Sequence, residues 1–324
     1  MIGIILIAIA AGAASALMFA SIVSGALISL VLFYLAPLPL MVAALGWGPL
    51  AATIGGIAAA TGLGAMFGLP YCIAFVIMVA LPAWWLGHLA LLGRPIANAV
   101  APADNATPAA PALEWYPVGR ILLWIAGFAV LTTMGTLLTL GTDAATITSM
   151  MRHGLLRILD QGETASSAEI QQWVDALVKI APAAAAIVAM MTLTLNLWLA
   201  GKITATSGRL HRPWPDLKTA ALPPMTLAAF SAAIAFCFVG GLIALAAQTI
   251  AAALTMAYAL IGFAVLHTLT LALKNRALWL GCTYAVVVVF SWPLLAMAAL
   301  GLADAVFGLR RRYLQTRPPP LPAA

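Results

Sequence analysis

Charge is what this sequence has least of. Its 324 residues include 15 Lys and Arg and 9 Asp and Glu, 7% of the chain, where an average soluble domain carries about a quarter. No charged side chain occurs before Arg94. A soluble globule of this size cannot keep its surface wet with so few ions. Disorder needs the opposite balance, high charge with low hydrophobicity. Cysteine is scarce as well. Cys72, Cys237 and Cys282 lie in apolar stretches, at spacings that give neither a disulfide framework nor a CxxC metal pair. The four histidines, His88, His153, His211 and His267, offer no ligand pair four residues apart. No two acids share an apolar stretch at a spacing suited to acid–base work. We therefore expect no metal, no cofactor and no enzymatic activity. The opening segment has no basic head, so a cleavable signal peptide is not expected. The net charge of +6 comes from Lys and Arg in connecting segments, and nucleic acid is not an expected partner.

Apolar residues fill the space that charge vacates. They make up 64% of the chain, with a mean hydropathy of +1.08. A bilayer core about 30 Å thick takes about 20 residues of helix. Uncharged stretches run over 1–93, 121–142, 180–201, 219–273 and 277–303. Their lengths hold about nine spans by that measure, and predict an all-α, polytopic transmembrane helix bundle. Gly and Pro place the spans near 3–22, 24–46, 48–66 and 70–92, then 120–141, 181–201, 223–246, 250–273 and 278–302. Gln248 would sit at the tip between the seventh and eighth. Pro37 and Pro39 fall inside the second span and predict a kink or an interrupted helix. Pro293, after Ser291-Trp292, is placed to break the last one into a re-entrant hairpin.

Lys and Arg in short loops favour the cytoplasmic side. On that rule the segment 202–218, with Lys202, Arg209, Arg212 and Lys218 against Asp216, is expected inside. The acidic segment 143–179 is expected outside. The tail with Arg310, Arg311, Arg312 and Arg317 conflicts with nine full crossings, and its side stays open. The chain then divides into a four-span block 1–92, a Pro/Ala-rich cytoplasmic loop 93–119, a membrane block 120–303 and a basic, Pro-rich tail 304–324. Asn105-Ala106-Thr107 matches a glycosylation sequon, but in a loop expected inside it has no such role. Within the third block, 143–180 is expected as an outer insertion of two short amphipathic helices. Ile147, Met151, Leu155, Ile158 and Leu159 form one apolar stripe. A capping box at Ser166–Glu169 opens the second helix, with Ile170, Trp173, Val174 and Leu177 on its apolar face.

Small and polar residues at membrane depth mark the candidate sites. Ala8, Gly12, Ala16 and Ala20 recur at four-residue spacing along the first span, and Ala51, Gly55 and Ala59 along the third. Such strips let helices approach closely, either within the bundle or as a docking face for another membrane subunit. Polar side chains are costly in hydrocarbon and usually face the bundle interior. Thr132, Thr136 and Thr139 line one face of the fifth span, with Asp143 beyond them. Asn196 lies in the sixth and His267 in the eighth. We take Thr132, Thr136, Thr139, Asn196 and His267 as candidates for binding a solute. Threonines bonded to their own helix and ordinary interhelical hydrogen bonds are the structural alternatives.

Two resemblances follow from particular residues. The run Leu195–Lys202, the basic segment after it and Leu222-Pro223-Pro224 are similar to the YybS-like uncharacterised bacterial membrane proteins. So are Gly262-Phe263-Ala264 and Leu300–Asp304 followed by Arg310. That resemblance implies a multi-pass protein of the bacterial inner membrane with no assigned role. The opening block, with its small-residue first helix and the Gly46-Trp47-Gly48-Pro49 turn, resembles the S components of energy-coupling factor transporters. This implies solute binding and a coupling module as partner, beside the lipid bilayer itself. The expected function is accordingly transporter-like solute binding or translocation. The alternative is a non-transporting scaffold or assembly partner.

Overall fold

Backbone polar groups have no water to bond in a bilayer, so a spanning chain must close its own hydrogen bonds as helix. The computed structural model describes residues 2–95, 113–159, 168–290 and 292–315. The Asn105 sequon, Ser166 and Ser167 of the expected capping box, and Arg317 lie outside them. Seven helical stretches are long and apolar enough to cross a membrane: Ile2–Ser24, Leu27–Trp47, Pro49–Phe67, Leu69–Leu91, Val118–Leu138, Ile170–Thr206 and Gly241–Ala272. A bent pair, Pro293–Phe307 with Leu309–Gln315, makes an eighth if counted as one span. The only strands among the described residues, Gly93–Pro95 and Leu113–Trp115, form a short antiparallel pair. The protein is an all-α polytopic membrane bundle.

The chain forms two compact units. The first comprises residues Met1–Ile125 and Met191–Pro215. Its helices are α1 (Ile2–Ala20), α2 (Leu27–Leu35), α3 (Pro37–Trp47), α4 (Pro49–Phe67), α5 (Leu69–Phe75) and α6 (Leu81–Leu91). Helix α1 packs on α4, and α3 on α4 and α6. A methyl group added to Gly12 would collide with the Gly55 carbonyl, and one on Gly55 with the Ala8 carbonyl. The small-residue strip thus lets two backbones touch. The buried face of α1 is Ala8, Gly12, Ser15 and Phe19; Ala16 and Ala20 are only half-buried. Pro37 and Pro39 break the second span as expected, α2 ending at Leu35 and α3 starting at Pro37. A π turn over Val76–Ala80 joins α5 to α6 just before Pro82, whose missing N–H the wider turn accommodates.

The basic segment folds back on the first unit. Arg212 donates to the carbonyls of Ala90 (3.2 Å) and Tyr116 (3.0 Å). The Arg209 guanidinium lies 4.6 Å from the Trp47 ring centre, and the Lys202 ammonium 4.2 Å from that of Trp214. Cations that cover aromatic faces keep their charge near water while burying their stems.

The second unit comprises Ala126–Met190 and Asp216–Ala324. It takes up helix α7 (Val118–Leu138) from Ala126 onward and continues through α8 (Ala144–Leu159) and the first part of α9 (Ala168–Thr206). After Asp216 it adds α10 (Met225–Phe236), α11 (Gly241–Leu269), α12 (Arg276–Phe290), α13 (Pro293–Phe307) and α14 (Leu309–Gln315). Three expectations need correction here. Helix α9 runs unbroken through Pro182, where an outer helix and a separate span were expected. Its buried stripe near the start is Val174 and Val178, with Trp173 and Leu177 exposed. The stretch 219–273 does not divide near Gln248. It breaks at Gly240 and Gly241, whose φ of 89° and 62° suit only glycine. That leaves α10 with 12 residues, about 18 Å of rise and too short to cross, and places Gln248 inside α11. The ninth span is two helices of 15 residues, α12 and α13, divided before Pro293, where the sequence placed a break. Ile158, assigned to the apolar stripe of α8, is exposed, whereas Ile147 is fully buried.

Helices α11 and α13 make the most extensive helix contact in this unit. A methyl group on Gly262 would collide with the Met297 carbonyl, and one on Gly301 with the Tyr258 carbonyl. Gly301→Ala should therefore push the helices apart and destabilise the protein by about 1–3 kcal/mol, as overpacking does. Thermal unfolding of the purified protein reads this. A Gly127→Ala control, which meets nothing nearby, should leave the midpoint unchanged or raised.

Candidate functional site

The residues with most chemistry in the second unit meet where α13 ends. Gly308, at φ 64°, closes that helix through its N–H to the Asp304 carbonyl (2.8 Å), and the chain turns by 66° into α14. The new helix begins with unsatisfied N–H groups. Asp304 supplies an acceptor: its Oδ1 takes the Arg310 N–H at 2.8 Å. Its Oδ2 takes the Arg310 side chain through Nε at 2.9 Å and Nη2 at 2.7 Å. Arg310 Nη1 also donates to the Lys218 carbonyl at 3.2 Å. Both side chains are more than nine-tenths buried. A buried charge pair persists where its hydrogen bonds are complete, and these bonds fix the segment at Lys218, the corner and α14 to one another.

Between these parts lies a cavity of about 620 Å³. Leu222, Pro223, Pro224 and Leu227 wall it from the start of α10, and Tyr258 and Ile261 from α11. Asp304 and Ala305 of α13 border it, with Arg310, Arg311 and Leu314 of α14 and Lys218. Thr226 donates to the Pro223 carbonyl at 2.6 Å. Its oxygen is then left to accept from the Tyr258 hydroxyl at 3.1 Å. Tyr258 is 2% exposed and packs against Phe230, ring centres 5.6 Å apart.

The solute-binding candidates read from the sequence are placed elsewhere. Thr132 donates to the Phe128 and Ala129 carbonyls, Thr136 to that of Thr132 and Thr139 to that of Thr136, all on their own helix. Thr136 and Thr139 are exposed. Asp143 begins the next helix, accepting from the Thr146 N–H (2.9 Å) and hydroxyl (2.6 Å). Those two bonds hold its carboxyl below the ordinary carboxylate range. His267 faces α12: its Nε2 lies 2.8 Å from the Tyr284 hydroxyl, and Arg276 donates to its carbonyl at 3.3 Å. Within this unit no described hydrogen bond joins His267 to the threonines.

Asn196 belongs to the first unit and is fully buried. Its Nδ2 donates to the Tyr34 carbonyl and to that of Thr192, both at 2.8 Å. Tyr34 lies beside the proline-interrupted join of α2 and α3, so the amide ties α9 to that join. Its Oδ1 has no hydrogen-bond partner among the described residues. Sequence reasoning missed Asp304, Arg310, Thr226 and Tyr258 as a group, because Thr226 and Tyr258 are 32 residues apart and Lys218 and Arg310 are 92. The one local signal was an acid closing an uncharged stretch, six residues before an arginine. Among the described residues, no three potential metal ligands lie together.

Two outcomes follow. Asn196→Leu should lower stability by about 1–2 kcal/mol, near the upper end for interhelical bonds in membranes, as measured by unfolding in detergent. Because Asp143 has a depressed folded-state pKa, its cap contributes above the ordinary carboxylate value and is lost as pH falls through the folded one. Protection against amide exchange at residues 146–148, taken relative to the intrinsic rate at each pH, should therefore fall on acidification, and Asp143→Asn should flatten that dependence.

A family model described as predicted membrane protein (DUF2232) matches residues 13–305. No curated protein and no solved structure matches the chain. The match takes in the proline-interrupted second span, Asn196, the Gly262–Gly301 contact and Asp304. The chain belongs to the DUF2232 family of membrane proteins.

Proposed function

We propose that this protein is a transporter-like, solute-binding protein of the bacterial inner membrane, and that the cavity beside the Gly308 corner is where it takes its ligand. The observation that carries this reading is the cavity itself. Its volume of about 620 Å³ falls within the range of small-molecule sites, and a mostly apolar wall with a few convergent polar groups is their usual lining. Among the described lining residues the acid and the hydroxyl closest to a catalytic role are already engaged. Both oxygens of Asp304 are engaged by Arg310, and the Thr226 proton is held by a backbone carbonyl. Binding without chemical conversion is the reading in keeping with those facts. A transport role rather than a scaffold is our choice on the cavity alone.

Ala305 lies exposed at the cavity edge, so Ala305→Trp should fill the space without disturbing the bundle. Purified wild-type protein should gain thermal stability from a fraction of a cell metabolite or lipid extract, and Ala305→Trp should lose that gain. Equal gains in both proteins, or none from any fraction, would remove the solute-binding reading and favour the scaffold.

A further inference from the structure

We infer that the cavity takes an amphiphilic anion: a phosphate-bearing head held at the rim by Lys218 and Arg311, with an apolar part along Leu222, Leu227 and Ile261. This rests on the proposed binding role of the same cavity and adds the class of ligand.

The charges of the lining decide the sign. Lys218, Arg310 and Arg311 face one acid, Asp304. Arg310 and Asp304 neutralise each other inside the wall. Two cations are left, and neither forms an ion pair among the described residues. Asp216, two residues before Lys218, accepts the Lys218 backbone N–H at 2.9 Å. Arg311 is held at the corner: a Cβ on Gly308 would sit 3.3 Å from its Nη2. An unbranched glycine at that turn leaves room for the guanidinium beside the cavity.

The floor decides the orientation. An anion needs donors, and the floor has none to spare. The Thr226 proton is on the Pro223 carbonyl and the Tyr258 proton on the Thr226 oxygen. What remains there is hydrocarbon and acceptor lone pairs, where a phosphate would lose its hydration without replacement. The head must stay at the rim, and only an apolar group can enter.

The rim is also suited to a membrane surface. The 66° bend turns α14 away from the direction of α13. Arg311 and Arg312 are exposed on that short helix. Basic residues at a bilayer boundary attract anionic headgroups. A lipid headgroup and a free phosphorylated solute share the head chemistry, and the apolar wall favours the lipid.

The test measures binding to the full-length protein in detergent by thermal shift. The probes are short-chain phosphatidylglycerol, short-chain phosphatidylcholine and sodium phosphate. Phosphatidylglycerol should bind at least about tenfold more tightly than either other probe, and more weakly as salt is raised. Lys218→Gln with Arg311→Gln should cost about tenfold for phosphatidylglycerol and leave phosphatidylcholine unchanged. Ala305→Trp should abolish phosphatidylglycerol binding. Equal binding of the two lipids, blocked by Ala305→Trp, overturns the anionic head and leaves the cavity as a binding site. Phosphate binding as tightly as phosphatidylglycerol overturns the apolar part. Full phosphatidylglycerol affinity in the double variant overturns the assignment to Lys218 and Arg311. Full affinity for it in Ala305→Trp overturns both this inference and the cavity as its site.

Discussion

A peptide group in hydrocarbon has no solvent to fall back on, so each helix interruption has to be repaired by something nearby. Asn196 and Asp304 lie at two such interruptions. Pro37 and Pro39 interrupt the second span, and the Asn196 amide reaches the Tyr34 carbonyl at the break. Gly308 ends α13, and the Asp304 carboxylate accepts the Arg310 N–H in the first turn of α14. Where a proline follows within a span, as at Pro82, the helix widens by a π turn instead. Asn196 and Asp304 each have a backbone reason to be where they are.

Packing follows from the same solvent. Lipid tails are as apolar as leucine, so helices gain little from hiding side chains against one another and associate through close contact. The two tightest contacts, Gly12 with Gly55 and Gly262 with Gly301, bring backbone against backbone. The second fixes α11 against α13 immediately beside the cavity, so Tyr258, Ile261 and Asp304 take their positions from a pair of glycines.

How much of this could be read from the sequence depends on distance along the chain. The first four spans were legible because glycine and proline mark every joint, and the Pro37 break and the Gly12 strip are local patterns. The 219–273 stretch was misjudged because hydropathy is continuous through Gly240-Gly241; only a backbone conformation reserved for glycine divides it there. Pro182 failed as a marker in the other direction, since a long helix tolerates one lost bond. Thr132 and Thr136 share α7 and Thr139 follows its last residue; hydroxyls bonded to nearby carbonyls, the structural alternative for threonine, are what the structure has. The cavity was illegible because Thr226 meets Tyr258 and Arg310 meets Lys218 only after the chain has folded. Asn196 was noticed for its depth, and its actual partner, a carbonyl 162 residues away, had no signature.

The bond from Arg310 to the Lys218 carbonyl also orders events in time. Ribosomes deliver Lys218 well before Arg310, and α10, α11, α12 and α13 are inserted in the interval. Asp304 and Arg310, six residues apart, arrive together and can pair at once, whereas the Lys218 carbonyl waits for both. The wall of the cavity is consequently among the last pieces to assemble, and a chain truncated before Arg310 keeps an open, acid-bearing helix end.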